Sequence, residues 1–514
     1  LALVWLIFEA SIQGGDTASG QVGRAGVELQ VRPALVCFTV PVMMTHSGPV
    51  EEGRGPNLLV AIERSGELPL HEQLERALRE RIRSGALASN TRLPSTRALA
   101  SELGVSRGVV TEAYGQLAAE GYLTISQGAP VRVARAVRTA SPRAPARSLL
   151  ESFPYHFHPG LPDLAGFPRE AWLRSLRTAL RESPLAATGY GDPRGVPELR
   201  EALAGYLGRV RGVEADPEHM LVCTGFMQAF TLVCRALRAR GVERIALEDP
   251  GWHVHRLIVE NAGMEVVPVP LDEQGLRVDD LARTDAAAVL VTPAHQFPTG
   301  VVMGPERRAA LIEWAEEERL IIEDDYDAEY RYDRVAVGAL QGLAPEHVAY
   351  IGSASKRLAP GMRLGWMLTP SWLAWELTSA KAIEDGGSEA IGQLALCDFI
   401  ARGELDRHVR RMRLRYQRRR EALLEALARW VPQGRVRSPG AAGLFELVSL
   451  PEGIDEPRLL RAAAARGVGM EGLAWHRFRP GGPPGVLLGY GNLSEPAIEH
   501  GVRLIGEALG EQTG

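Results

Sequence analysis

The chain contains two lysines among its 514 residues, Lys356 and Lys381, and the neighbours of the first suit it to covalent chemistry. In Ser353-Ala354-Ser355-Lys356-Arg357-Leu358-Ala359-Pro360-Gly361-Met362-Arg363 the lysine stands between a serine pair and an arginine. A lysine amine closes a Schiff base with an aldehyde, while a serine hydroxyl and a guanidinium fork hold a phosphate. Alone, Ser-x-Ser-Lys fits a surface lysine equally well, so companion segments must decide. Ile322-Glu323-Asp324-Asp325-Tyr326-Asp327 follows an apolar, strand-like run with carboxylates that are costly to bury without a positive partner. A pyridinium nitrogen is such a partner. Asp324 would keep it protonated, and Tyr326 would hydrogen-bond the phenolate oxygen of the same ring.

Two further segments complete the set. Thr224-Gly225-Phe226-Met227-Gln228-Ala229 joins a strand-like run, Met220–Cys223, to a helical pattern, so the backbone N–H groups of Gly225, Phe226 and Met227 and a helix dipole face an anion. Glu248-Asp249-Pro250-Gly251-Trp252 ends another strand on an aromatic residue, either a ring to stack on a pyridine or a core tryptophan. Together the segments describe a site for pyridoxal 5′-phosphate, with Lys356, Asp324, Tyr326, Ser353, Arg363, Gly225, Phe226, Met227 and Trp252 as its residues.

Such residues need a scaffold that brings strand ends together. Arg244–Leu247, Ala288–Val291 and Leu320–Ile322 are short apolar runs separated by helical patterns, as a mostly parallel sheet covered on both faces requires. The class is α/β, and ligands of such sheets lie at the carboxyl ends of strands. Residues 151–514 are assigned to this domain.

The N-terminal part reads differently. Leu70, Leu74, Ala77, Leu78 and Ile82 recur at helical spacing, with Gly85 beyond as a stop. Ser95 caps a second short helix, Gly104 supplies a tight turn, and Ser106 caps a third, which is helix-turn-helix spacing. The third helix turns Val109, Val110, Ala113, Tyr114, Leu117 and Ala118 inward and leaves Arg107, Gly108 and Thr111 for a groove. Tyr122–Ile125 and Val131–Val133, around a Ser126–Pro130 turn, alternate as a two-stranded wing. Between residues 58 and 137 stand ten arginines and no lysine. Arg92, Ser95, Thr96, Arg97, Ser106, Arg107 and Thr111 form the expected DNA face, with Arg132 beside it. A small helical domain used for dimerisation or partner binding is the alternative.

Residues 136–150 shift to Pro, Ala, Arg and Ser without periodicity and read as a linker, which at full stretch reaches on the order of 50 Å. The chain begins with Leu1 and its first methionines are Met43 and Met44, so residues 1–57 read as a disordered or non-native extension. A net charge of −5 gives no whole-molecule pull on nucleic acid, so DNA binding rests on a local surface. Cys37, Cys223, Cys234 and Cys397 lack the spacing of a zinc site or a disulfide framework, and no apolar run suits a membrane helix. A cytoplasmic protein without metal is expected.

The segment from Arg92-Leu93-Pro94-Ser95-Thr96-Arg97-Ala98-Leu99-Ala100 to Ala113-Tyr114-Gly115-Gln116-Leu117 resembles the GntR family of winged-helix regulators. Its wing departs from that family's usual hairpin at Gln127-Gly128-Ala129-Pro130-Val131. Residues 151–505 resemble fold-type I pyridoxal-phosphate enzymes of the aminotransferase class. The lysine segment, Tyr190-Gly191-Asp192-Pro193-Arg194-Gly195 and Thr292-Pro293-Ala294-His295-Gln296-Phe297-Pro298-Thr299-Gly300 carry that likeness. An α+β winged helix followed by an α/β aminotransferase-like domain resembles the MocR/GabR regulators. The resemblance implies a homodimer, double-stranded operator DNA as partner, Lys356 as the cofactor lysine, and a small-molecule effector that is an amine, an amino acid or the cofactor itself. Two departures follow from it. Phe297 stands where aminotransferases have an asparagine, which passes the cofactor-oxygen contact to His295 or Gln296. The carboxylate-clamping arginine of their C-terminal strand has no counterpart in Pro484-Gly485-Val486-Leu487-Leu488-Gly489-Tyr490-Gly491, with Arg477 and Arg479 as nearby substitutes. An active aminotransferase with an accessory DNA-binding head, and a degenerate binding scaffold, remain the competing readings.

Overall fold

The computed structural model describes residues 68–513 except 127–128, 135–152, 185–186, 188, 317, 333–336 and 438–441. The 1–57 extension, the 136–150 linker, Cys37, and Gln127 and Gly128 of the wing turn lie outside the described residues. The chain divides into two compact units, Leu1–Ser148 and Leu149–Gly514.

In the first unit α1 (Leu70–Arg83), α2 (Thr96–Leu103) and α3 (Arg107–Ala119) precede an antiparallel pair, β1 (Leu123–Thr124) and β2 (Arg132–Val133). Leu74, Leu78 and Ile82 of α1 meet Leu99 of α2 and Val110, Ala113, Tyr114 and Leu117 of α3, the stripe that helical spacing dictates. Ser95 Oγ accepts from the Ala98 N–H at 3.2 Å and Ser106 Oγ from the Val109 N–H at 3.4 Å, so side chains cap α2 and α3. Gly104 ends α2 at φ 63°, a left-handed turn that favours glycine.

The second unit is built on an eight-stranded sheet. In chain order its strands are β3 (Met220–Cys223), β4 (Arg244–Asp249), β5 (Glu265–Asp272), β6 (Gly275–Leu276), β7 (Ala288–Val291), β8 (Leu320–Asp325), β9 (Val348–Ser353) and β10 (Gly365–Leu368). Across the sheet they run β3-β10-β9-β8-β7-β4-β5-β6. The centre, β9-β8-β7-β4-β5, is parallel, while β10 and β6 pair antiparallel with their neighbours. β3, β7, β8, β9 and β10 are buried along their whole length, because apolar layers cover both faces. Since β3 and β9 both run antiparallel to β10, the carboxyl ends of β3, β4, β7, β8 and β9 meet at one edge. A smaller antiparallel sheet follows. It runs β11 (Arg435–Val436), β12 (Phe445–Ser449), β14 (Gly485–Gly489), β13 (Glu471–Gly472).

Candidate cofactor site and DNA-binding face

At the end of β3 the chain turns at Gly225, φ 115°, into α4 (Phe226–Ala239), and no side chain caps that helix. The first-turn N–H groups of Phe226 and Met227 and the helix dipole point outward from this turn. The Arg363 guanidinium lies against it: a Cβ at Gly225 would sit 3.2 Å from Nη2 and 3.3 Å from Nη1. Ser353 caps the short helix α5 (Ala354–Arg357), its Oγ accepting from the Ser355 N–H at 3.4 Å. Register sets Ser353 opposite Gly365 and Gly365 opposite Cys223, which brings Ser353, Arg363, Gly225 and Phe226 together. The Met227 side chain points largely to solvent, so only its backbone belongs to this turn.

One turn into α5 stands Lys356. Its amine makes no hydrogen bond among the described residues, and a Cβ at Gly160 would come within 2.9 Å of Nζ. Burial lowers its pKa, against the pull of Asp327, Asp324 and Glu471, which favours the neutral, nucleophilic amine. Lys381 is the contrast: its buried Nζ is held by Asp385 at 2.8 and 3.0 Å and by Ser388 Oγ at 2.8 Å.

Asp324 is buried with no matched cation. Burial and the charge of Asp325 raise its pKa well above the ordinary carboxylate value, while Lys356 pulls it down. Its one ion-pair neighbour among the described residues, His255 Nε2 at 3.8 Å, is a weak one, since burial drops that imidazole to about 3. His255 had no signal in the sequence beyond lying one helical turn from Trp252, on α6 (His253–Asn261). The Trp252 ring packs edge-on to His255, centroids 5.2 Å apart, and lies 6.3 Å from the Phe226 ring.

Tyr326 and Gln296 are engaged within the chain. The Tyr326 hydroxyl donates to the His295 carbonyl at 2.8 Å and lies 3.1 Å from His295 Nδ1. Gln296 Nε2 donates to Glu248 Oε2 at 3.0 Å and to the Pro250 and Phe297 carbonyls, and its Oε1 accepts from Thr299 N and Oγ1. The amide thereby fixes the β7 turn. His295 holds Asp327 at 3.0 Å through Nδ1 and keeps a buried Nε2 with no partner among the described residues, whereas Gln296, the residue expected to contact the cofactor, has its amide engaged within the chain.

The proposed substitutes for a carboxylate clamp are not both available. Arg477 donates to the carbonyls of Gly481 at 2.8 Å and Pro483 at 2.6 Å and so fastens its own loop. On β14, Leu487 is buried with Phe445, Leu447 and Leu473, against Phe297 and Tyr326. At Leu487 itself the surroundings are apolar and offer a carboxylate no cation. The residues present fit pyridoxal 5′-phosphate: an open helix N-terminus with an arginine for phosphate, a buried carboxylate for a ring cation, and an unengaged lysine.

In the first unit Arg92, Ser95, Arg97, Ser106, Arg107 and Thr111 are exposed and Thr96 is half-buried. Arg107 Nε donates to Thr96 Oγ1 at 3.2 Å, which ties the start of α3 to α2, while the Thr111 hydroxyl bonds back to the Arg107 carbonyl at 2.9 Å. Arg92 and Arg97 form no ion pair among the described residues, whereas Arg79 is held by Glu120 at 2.8 Å and Arg132 reaches the Asn90 carbonyl at 2.8 Å. Exposed arginines without an ion pair, before and within α2, suit phosphates and base edges.

Residues 70–133 match the family model of bacterial regulatory proteins of the GntR family, and residues 163–465 match that of aminotransferase class I and II. A DNA-binding head and an aminotransferase-like body in one chain define a class of helix-turn-helix transcriptional regulators. The chain is 32% identical over 473 residues to the probable rhizopine catabolism regulatory protein MocR of Rhizobium meliloti, covering 88% of this chain and 96% of that one. It is 31% identical to the pyridoxine biosynthesis transcriptional regulator PdxR of Corynebacterium glutamicum, covering 88% and 99%. The fold matches the α-aminoadipate aminotransferase LysN of Thermus thermophilus, solved with N-(5′-phosphopyridoxyl)-L-leucine, at TM-score 0.65 and 27% identity over 72% of this chain and 96% of that one. The chain belongs to the MocR family of GntR-type transcriptional regulators.

Proposed function

We propose that the second unit binds pyridoxal 5′-phosphate through Lys356 and that occupancy of this site by the cofactor or by a small amine sets the affinity of the winged helix for operator DNA. The observation that carries the reading is the pairing of Lys356, unengaged and shifted toward its neutral form, with Asp324, buried without a matched cation, at the ends of adjacent strands. Ser353, Arg363, Gly225 and the first turn of α4 would hold the phosphate, Asp324 the pyridinium, and Trp252 and Phe226 would enclose the ring. Tyr326 and His295 lie beside them, and Gln296 positions that turn. The cofactor supplies an electrophilic aldehyde carbon and an electron-sink ring. Coupling to DNA requires that the occupied and empty states differ in operator affinity.

The apolar setting of Leu487 favours sensing over amino-acid transamination, since a bidentate clamp contributes about 1.5–3 kcal/mol to carboxylate binding. We assign residues 58–135 to the head, 136–150 to a tether and 151–514 to the sensor, in a cytoplasmic homodimer. For the dimer, Tyr190 and Ile383 are 101% and 88% exposed. Beside Ile383, Glu384 and Asp385 accept from Gln228 in the first turn of α4, and Gly387 approaches Gly191, the residue after Tyr190.

Absorbance spectra of the purified protein beside Lys356→Ala test the cofactor. A visible pyridoxal band in the wild type and none in the variant is expected; no band in either overturns the reading. A mobility-shift assay of the same samples then reads the coupling, and operator affinity unaffected by cofactor or amine would remove it.

A further inference from the structure

The small sheet brings a charged group, Glu471, toward Lys356: Glu471 lies 3.6 Å from His158, two residues before the Gly160 that abuts the Lys356 amine. Glu471 on β13 pairs with Leu487 on β14, so the two side chains share a face with Leu447, which is opposite Leu487 from the other side. That face meets Phe297 and Tyr326. Glu471 Oε1 lies 3.6 Å from His158 Nε2 and Oε2 3.4 Å from His476 Nε2. Burial raises its pKa, but the His476 and His158 imidazoles beside it outweigh this and hold it below the ordinary carboxylate value. Two imidazole contacts leave a carboxylate with room for further donors. Around it, both ring nitrogens of His253 and both of His476 are buried without a hydrogen-bond partner among the described residues. His253 stacks on Trp475 at 4.3 Å and its rings therefore form a flat wall rather than a charge: burial takes its pKa to about 4.

A ligand whose amine reaches Lys356 thus extends toward an anion and an apolar strand, where an amino acid would need a cation. We propose that Glu471 receives the far end of the effector, and that the effector is an amine carrying a second cationic or hydrogen-bond-donating group, a diamine or an amino alcohol, rather than an amino acid. A carboxylate there would face Glu471 at close range, and like charges in a poorly hydrated site repel strongly. The buried imidazoles supply acceptors for hydroxyl or ammonium protons that an apolar wall would leave unmatched. The inference rests on the reading that Lys356 holds pyridoxal 5′-phosphate.

The experiment is calorimetric titration of the full chain, loaded with pyridoxal 5′-phosphate, with amines of one length: 1,3-diaminopropane, 3-aminopropan-1-ol, propylamine and β-alanine. The visible band of the same sample is recorded before each titration. The diamine and the amino alcohol are expected to bind at least about tenfold more tightly than propylamine, and β-alanine most weakly. Glu471→Gln should bring the diamine and propylamine close to parity, and Leu487→Arg should move the preference to β-alanine. β-Alanine binding the wild type as tightly as the diamine overturns the inference, as does an unchanged ratio in Glu471→Gln or a loaded protein that binds none of the amines. Should Glu471→Gln fail to fold, the wild-type order and Leu487→Arg decide. A missing band in the wild type overturns the parent reading and this inference with it, whereas a normal band with the opposite preference overturns the inference alone.

Discussion

Asp324 and Asp325 are consecutive on β8 and both are buried, yet they face opposite sides of the sheet and meet opposite surroundings. Asp325 accepts from Arg211 at 2.8 and 3.1 Å and from the Tyr350 hydroxyl at 2.5 Å, with Arg357 at 4.0 Å. Burial raises its pKa, but Arg211 and Arg357 outweigh that and hold it below the ordinary range. Asp324 has no such partners and is pushed the other way. The lysines repeat the contrast, Lys381 held and Lys356 unengaged, and so do the arginines of the head, Arg79 paired and Arg97 unpaired. A buried or basic group whose partners lie within the chain serves the fold; its unmatched twin awaits a ligand.

The contrast is broken most directly on β8. Asp325→Ala leaves Arg211 and Arg357 buried beside an empty site and should cost about 3–5 kcal/mol of stability, read as a fall in the urea midpoint. Asp324→Ala should leave the midpoint of cofactor-free protein unchanged or raised, and should abolish cofactor retention. Equal losses from the two would refute the division.

Glu248 extends it to pH. Burial raises its pKa to about 7, although Thr292 Oγ1 and Gln296 Nε2 both donate to Oε2. Its Oε1 has no partner among the described residues. The unfolded value is about 4.3, so the folded state holds this proton more tightly. The stability this contributes is complete below the unfolded value and is lost as pH rises through about 7, at up to about 1.4 kcal/mol per pH unit. Glu248→Gln keeps an acceptor for both donors and cannot ionise. It should therefore gain on the wild type between about pH 5 and pH 8. Parallel stability profiles would show that the carboxyl is ionised throughout.

Among the lysines and arginines the effects are smaller. Lys381→Ala should cost about 1–3 kcal/mol of stability and keep the visible band, the converse of Lys356→Ala. Arg97→Ala should weaken operator binding by about 1–3 kcal/mol in a mobility-shift assay, while Arg79→Ala should lower stability and leave the complex intact. Arg97→Ala without effect on DNA would move the recognition face elsewhere.

The cofactor reading was legible because each of its groups sits in a short segment at a strand end: Lys356 near Ser353, Asp324 within its acidic run, Gly225 between strand and helix. The head was legible for the same reason, since caps, turn glycine and apolar spacing are local. What escaped depends on distant pairing. Glu471 reaches the Lys356 region through the register of β13 on β14, and His255 reaches Asp324 through the docking of α6. Tyr326 and Gln296 look like free polar groups in the sequence, but His295, Glu248 and Thr299 engage them, which no spacing rule reports. Arg477 looked like a substitute clamp until its own loop carbonyls claimed it.

The smallest effect concerns helix N-termini, where α2 and α3 of the head differ from α4 in the same sense. α2 and α3 are capped by Ser95 and Ser106, so one first-turn N–H of each has a side-chain partner within the chain. α4 begins at Gly225 without a side-chain cap, and Arg363 adds a positive charge to its dipole. Ser95→Ala should cost the head about 1 kcal/mol, and Ser95→Gly only a few tenths. Inorganic phosphate should raise the thermal midpoint of the second unit, because α4 joins an uncapped N-terminus to the Arg363 guanidinium. Gly225→Ala should remove that response: at φ 115° a side chain is strained, and its Cβ would stand 3.2 Å from the guanidinium that completes the cradle. A phosphate response that survives Gly225→Ala would place the anion elsewhere and leave the open end of α4 without a role.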